Sequence, residues 1–354
     1  MKANRWMPEF LLSITLTITG IVGLAAPAVL PADARAVGPG AQKEGSPAAP
    51  ETQMRIQINY PLELHNELLL ASTPNGTGLL DAAAYRSEIE SYKQAREMVK
   101  EFKAWRIVND ACVEGPDAAA IRGNGERLSA DLSPQDRDAV KKMLDALSTA
   151  YARWEGKEML LRQRGLKRFV GILLGRTFDA AAKKTIMTEV DRKLGFHPLD
   201  APLGIYIVVD AADVGAWGWT PSGYYIVIPV QNREVGGVIE AIVHESTHLL
   251  DSRQPPGSSS ILGRLRTRLS GEDSVAVDTL LHGLVAFNAG QMVKRFVKPD
   301  YAPIVEVSPT WRTQLAEYLP ALQGGWNDYL DGKIDAEKAV GELAATVKHP
   351  AAPK

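Results

Sequence analysis

Val243-His244-Glu245-Ser246-Thr247-His248-Leu249 is the stretch on which the reading of this chain turns. It lies in a segment with helical spacing, where residues four apart sit one above the other. His244 and His248 therefore present their imidazoles from one face, as two ligands of one metal ion must. Glu245 follows the first of them, where a carboxylate can take a proton from a polarised water. So short a pattern also arises by chance, and the alternative is a pair of hydrogen-bonded histidines with no ion. The flanks decide between the two. Val238, Ile239, Ile242, Val243, Leu249 and Leu250 suit a helix buried on its other faces. There two histidines and a glutamate without an ion would need other polar partners.

Around this stretch the composition is that of an ordinary globular protein: 354 residues, net charge −2 and 45% hydrophobic residues. That is enough for one large domain or two small ones. Balanced charge argues against a nucleic-acid partner, which would need a basic surface. The single cysteine, Cys112, allows no disulfide within the chain and reads as a small buried residue. Lys2 and Arg5 precede a mainly apolar run, Phe10 to Ala26, with small-x-small sites at Ala34-Arg35-Ala36 and Ala26-Pro27-Ala28. Residues 1–36 thus read as a signal peptide, with an uncleaved single-span anchor as the alternative. Both place the remainder outside the cytoplasm, periplasmic or secreted, and no later segment is apolar enough to insert in a membrane. Residues 37–53, rich in Pro, Gly and Ala, read as a disordered linker.

The folded part is expected to start near Met54, in a helical N-terminal region, 54–200, followed by a region at 201–348 that carries the chemistry. In the first, RIQINY reads as a short strand and LELHNELLLAS as a helix. Apolar spacing predicts one helix from Leu80 to about Arg106, and a second from Ser133-Pro134 to about Gly156. A third is expected near 158–174, and a fourth between the cap Asp179 and Gly195. His65 is expected to be a surface or partly packed residue without a role. In the second region, Gly204–Val209 and Tyr224–Val230 read as strands, joined by the turn-rich DAADVGAWGWTPSG. Pro229 lacks a ladder donor, which places the second run at a sheet edge. The helix of His244 follows from Arg233. Trp217 and Trp219 either line a cleft or cover the end of the sheet. Further helices are expected at Ser274–Val297, Thr310–Leu330 and Asp335–Val347. The class is α+β, mainly helical, with a small sheet.

A metal centre of this kind needs a third protein ligand. Residue 254 is Gln, so no histidine stands six residues after His248. The downstream candidates are Glu272, Asp273, Asp278 and His282. Glu272 precedes a helix cap, where it favours the helix N-terminus. His282 shares a face with Val275, Asp278 and Val285 and has a carboxylate one turn earlier, as a held ligand does. His282 is the preferred third ligand, with Asp278 placed to orient it and Asp251 placed to orient His248. Tyr301, after that helix, is a candidate oxyanion donor by position.

The order strand, edge strand, His-Glu-x-x-His helix resembles that of zincin-type peptidases. LLHGLVAFNAGQMVKRF and the run bearing Trp311, Tyr318, Trp326 and Tyr329-Leu330-Asp331-Gly332 look like the corresponding motifs of a group of exported bacterial zincin-like, gluzincin-like proteins. The resemblance spans roughly 203–335 and departs from ordinary gluzincins in lacking a clear Glu-x-x-x-Asp on the second helix. It implies a zinc-peptidase-like fold, in which class the edge strand holds an extended substrate by main-chain pairing. The residues themselves lead to the expectation of Zn2+ held by His244, His248 and His282, Glu245 as general base, and hydrolysis of a peptide or protein substrate. The resemblance supplies no substrate identity. Cell-wall peptide cross-links fit as well as proteins do. A non-catalytic exported binding or assembly protein on the same fold is the rival, and oligomeric state is left open.

Overall fold

The computed structural model describes residues 53–73, 76, 80–154, 164–209, 215–230, 233–255 and 257–348. The signal-peptide and linker expectations lie outside these residues, except at Gln53, whose carbonyl already accepts the Leu203 amide at 2.8 Å.

Four short strands form one mixed sheet: β1 (Met54–Gln57), β2 (Leu203–Val208), β3 (Ala216–Thr220) and β4 (Gly223–Pro229), in the order β1-β2-β4-β3. β1 and β2 run parallel to their neighbours, and β3 returns antiparallel to β4, with Trp217 opposite Ile226. β2 and β4 are almost continuously apolar because both faces are covered. Successive side chains point to opposite faces, so the two strands feed two cores. Ile205, Ile207, Ile226 and Ile228 belong to one, Val208, Tyr225 and Val227 to the other.

The second core is closed by helices of the first half: α1 (Tyr60–Ala71), α2 (Arg86–Met98), α3 (Phe102–Glu114), α4 (Ala118–Leu128) and α5 (Pro134–Trp154). The first is closed by α6 (164–177, a π turn at Phe169–Leu174), α7 (Ala180–Leu194), α8 (Val235–Ser252), α9 (Ile261–Arg268) and α10 (Ser274–Phe296). The short α11 (Ile304–Val307) and α12 (Pro309–Gln314), the irregular α13 (319–330) and α14 (Ala336–Lys348) complete it. No boundary at residue 200 divides the described residues. β1 pairs with β2, α7 packs in the same core as α8, and the described residues form one unit. None of their helices is long and apolar enough to cross a membrane.

Three local expectations are corrected. The helix expected from Leu80 to Arg106 is two helices, broken at Val99–Glu101. The cause lies 35 residues away. Buried Asp136, in the first turn of α5, takes the amides of Lys100 (2.8 Å) and Glu101 (3.4 Å) on one carboxylate oxygen and the Ser133 hydroxyl on the other. Amides held there cannot continue α2. The strand at the sheet edge on this side is β3, not the run ending in Pro229. β4 lies inside the sheet, and its ladder to β3 stops at Val227, so Pro229 costs no bond. Ala-Trp-Gly-Trp-Thr escapes a propensity reading because Ala216 and Gly218 are small where they meet the Tyr225 side. Finally, the helix expected over Thr310–Leu330 is interrupted by a turn at 315–318 and a π turn at Leu322–Trp326.

The helix expected near 158–174 is described from residue 164 and runs to 177, the strand RIQINY is cut to Met54–Gln57, and His65, expected at the surface or partly packed, is 2% exposed. Several helix ends hold closely. Asp179 caps α7 through the Ala182 amide, and Gly195, at φ +68°, closes it. Asp273 caps α10 through the Ala276 amide. Cys112 is fully buried.

Candidate metal centre

α8 starts after extended Glu234 and buries Val238, Ile239, Ile242, Val243, Leu249 and Leu250 in the first core. α10 runs antiparallel along it: His282 meets His244, and Gly290 meets Glu240. These two helices bring three imidazoles together. His244 Nε2 lies 3.0 Å from His248 Nε2 and 3.2 Å from His282 Nε2, and one ligand atom from each ring falls within 4.8 Å of the others. The ring centroids are 4.6, 5.1 and 5.2 Å apart.

Hydrogen bonding alone does not satisfy this arrangement. His244 Nε2 carries either one proton or one lone pair, so it can serve only one of its two neighbours. A cation accepts all three lone pairs. Tetrahedral zinc with nitrogen bonds of about 2.0–2.1 Å sets its ligand atoms about 3.3 Å apart, close to the 3.0 and 3.2 Å that separate His244 from its two neighbours. Burial holds all three histidines neutral, the form that ligates. His244 is lowered well below the usual range by burial and by its neighbours His248 and His282, His248 is lowered to about 3 and His282 to about 4. Three neutral nitrogens facing one point fit a zinc ion.

Glu245 projects beside them, its Oε1 4.0 Å from His244 Nε2, and is 6% exposed. The backbone of Gly215, the residue before β3, lies directly against it. A Cβ built on Gly215 would stand 2.7 Å from the Glu245 carboxylate oxygen. Arg233, just before α8, is half-buried, and its charge acts on Glu245, Glu240 and His244. Trp311 on α12 forms a wall, its ring 5.0 Å from that of His282 and 6.4 Å from that of His244.

The structure thus brings His282 to the pair on α8 and leaves the other third-ligand candidates aside. Glu272 and Asp273 are exposed ahead of α10, and Asp278 makes no hydrogen bond to His282. Asp251 does not orient His248. It is gripped by both terminal nitrogens of Arg266, one of them at 2.9 Å. Tyr301 is not aimed at the centre either. It is 4% exposed, packs beside Gly236 two turns up α8, and donates its hydroxyl to the buried Glu240 carboxylate. That carboxylate also takes the Ile304 amide, so Tyr301 and Glu240 fasten the start of α11 to α8.

Sequence reasoning passed over Gly215 and Arg233 and gave Trp311 no place at the centre. The only signals available were a glycine ahead of an unrecognised strand and a basic residue at a helix start. Comparison of the chain with protein-family models, with curated proteins and with solved structures gives no match.

Proposed function

We propose that this is a zinc-dependent hydrolase of peptide bonds with a zincin-like arrangement, in which His244, His248 and His282 hold the ion. One observation carries the reading: three Nε2 atoms converge from two antiparallel helices with a buried carboxylate one residue after the first. Bound there, zinc supplies a Lewis acid that polarises a carbonyl and acidifies water. Glu245 takes the proton of the attacking water and passes it to the leaving amine. Gly215, whose missing side chain leaves the space that the Glu245 carboxylate occupies, lets it lie against the histidines. Trp311 shields the other side from bulk water, which strengthens every charge interaction at the centre. The outer edge of β3, unpaired among the described residues, offers main-chain groups to an extended substrate. The export segment read in residues 1–36 places that substrate in the periplasm or outside the cell.

The test is hydrolysis of a mixed peptide library by zinc-loaded protein. Cleavage is expected, abolished by a chelator and restored by zinc. Glu245→Gln is expected to keep one zinc per chain and lose about 100-fold or more in rate. Full activity in Glu245→Gln overturns the mechanism. Zinc binding without cleavage of any peptide returns the protein to the non-catalytic binding class.

A further inference from the structure

The run from Gly215 into β3 does more than meet Glu245. Gly215 touches the Glu245 side chain, and four residues on, the Trp219 ring lies under the guanidinium of Arg253, 5.5 Å from its centroid. Arg253 caps α8 eight residues after Glu245. Four residues of strand and eight of helix both span about 12–13 Å, so β3 and α8 run side by side from the carboxylate to this second cluster. Arg253 also stacks on Tyr224 of β4 at 5.5 Å, and the guanidinium of Arg106 on α3 lies 4.2 Å over Trp219.

The two arginines differ. Arg106 is half-buried and 3.7 Å from Asp110. Arg253 is exposed, and no carboxylate lies within 4.0 Å of its guanidinium among the described residues. Asp200 accepts the Tyr224 hydroxyl at 2.6 Å. An exposed guanidinium beside two aromatic rings, one side of it turned to the Tyr224 hydroxyl, has further N–H donors to offer a visiting anion.

We infer that Arg253, seated on Trp219 and Tyr224, is a specificity-determining subsite for an acidic side chain of the substrate, four residues N-terminal to the cleaved bond. The inference rests on the peptide-hydrolase reading for its cleaved bond. The direction follows from pairing. Antiparallel ladders are the more frequent and more stable, and a chain antiparallel to β3 carries its N-terminal side over Trp219 when its cleaved bond lies at Glu245.

The test uses three ten-residue peptides, identical except for Glu, Ala or Lys four residues before the single cleavable bond, and a second set with the change four residues after it. In the first set kcat/KM is expected to favour Glu over Lys by about fivefold, the size of one exposed ion pair, and the ratio should shrink as salt rises. Arg253→Glu is expected to invert the ratio and Trp219→Ala to reduce it. Each ratio is taken within one protein, so partial misfolding of a variant cancels. Dye-labelled peptides bound to Glu245→Gln read the subsite without hydrolysis. A Glu-over-Lys preference in Kd with no cleavage by the unmutated protein would sink the hydrolase reading and keep the subsite. Cleavage of all three peptides at equal rates with equal Kd would overturn the subsite alone, as would a preference confined to the second set.

Discussion

The two faces of the sheet each bury histidine, and the contrast between them shows what distinguishes a site from a core. On the N-terminal side His65 is 2% exposed, its Nδ1 is 3.2 Å from the Tyr92 hydroxyl, and burial lowers its pKa to about 4. On the other side His248 and His282 are lowered to similar values by the same cause. Burial and a depressed pKa are thus common to both. What differs is the partner. His65 has a hydroxyl that can donate or accept, so it is satisfied as it stands. His244, His248 and His282 face one another, and no placement of their protons satisfies every contact. Convergence of lone pairs, not burial, marks the candidate metal centre.

Removing members of each set is the strongest way to break this contrast. His248→Ala and His282→Ala are each expected to weaken zinc by more than about 100-fold, since even residues that only support ligands cost 10–100-fold. His65→Gln is expected to leave affinity unchanged, with competition against a chromophoric chelator as the measurement. Equal losses in all three would mean that the contrast is false. Gly215→Ala comes next. Its methyl group must push Glu245 aside, and a displacement of about 1 Å is worth about 100-fold in rate. Zinc affinity should stay within about twofold, because no ligand moves; an unchanged rate would show that Glu245 is not confined by β3.

Stability sharpens the contrast further. Free zinc at about 100 times its Kd is expected to add about 2.7 kcal/mol to the unfolding free energy. Denaturant titration should show this gain in the unmutated protein and in His65→Gln, and not in His282→Ala. The smallest effects lie in pH dependence, with slopes of at most about 1.4 kcal/mol per pH unit for one group. His65 has a folded pKa below its unfolded one, so the stability it contributes is full above about 6.5 and lost as pH falls toward about 4. Glu240 works in the opposite sense. Burial raises it to about 7, so its contribution is present below about 4.5 and lost as pH rises through 7. His65→Gln should flatten the acid limb of the stability profile and Glu240→Gln the neutral limb; exchanged limbs would reverse both assignments.

What was legible in the sequence was local. The α8 pattern, the Asp179 and Gly195 ends of α7 and the Asp273 cap of α10 each follow from residues within a few positions of one another. His282 was legible as a ligand candidate by its own helix spacing, while its meeting with His244 depends on two helices packing antiparallel. The missed features depend on distant partners. The break before α3 comes from Asp136, β3 exists only against β4, and Tyr301 is claimed by Glu240 from 61 residues earlier. His65 reads as a surface residue until Tyr92 closes over it. A residue's partner across the fold decides its role, and spacing along the chain does not reveal that partner.

The most direct test of the metal centre is zinc K-edge X-ray absorption on zinc-loaded protein, unmutated and His282→Ala. The expected first shell is three imidazole nitrogens at about 2.0–2.1 Å with one or two oxygens, and a loss of one imidazole or of the bound zinc itself in the variant. A shell with two imidazoles or fewer in the unmutated protein, or identical spectra from the two, would contradict it.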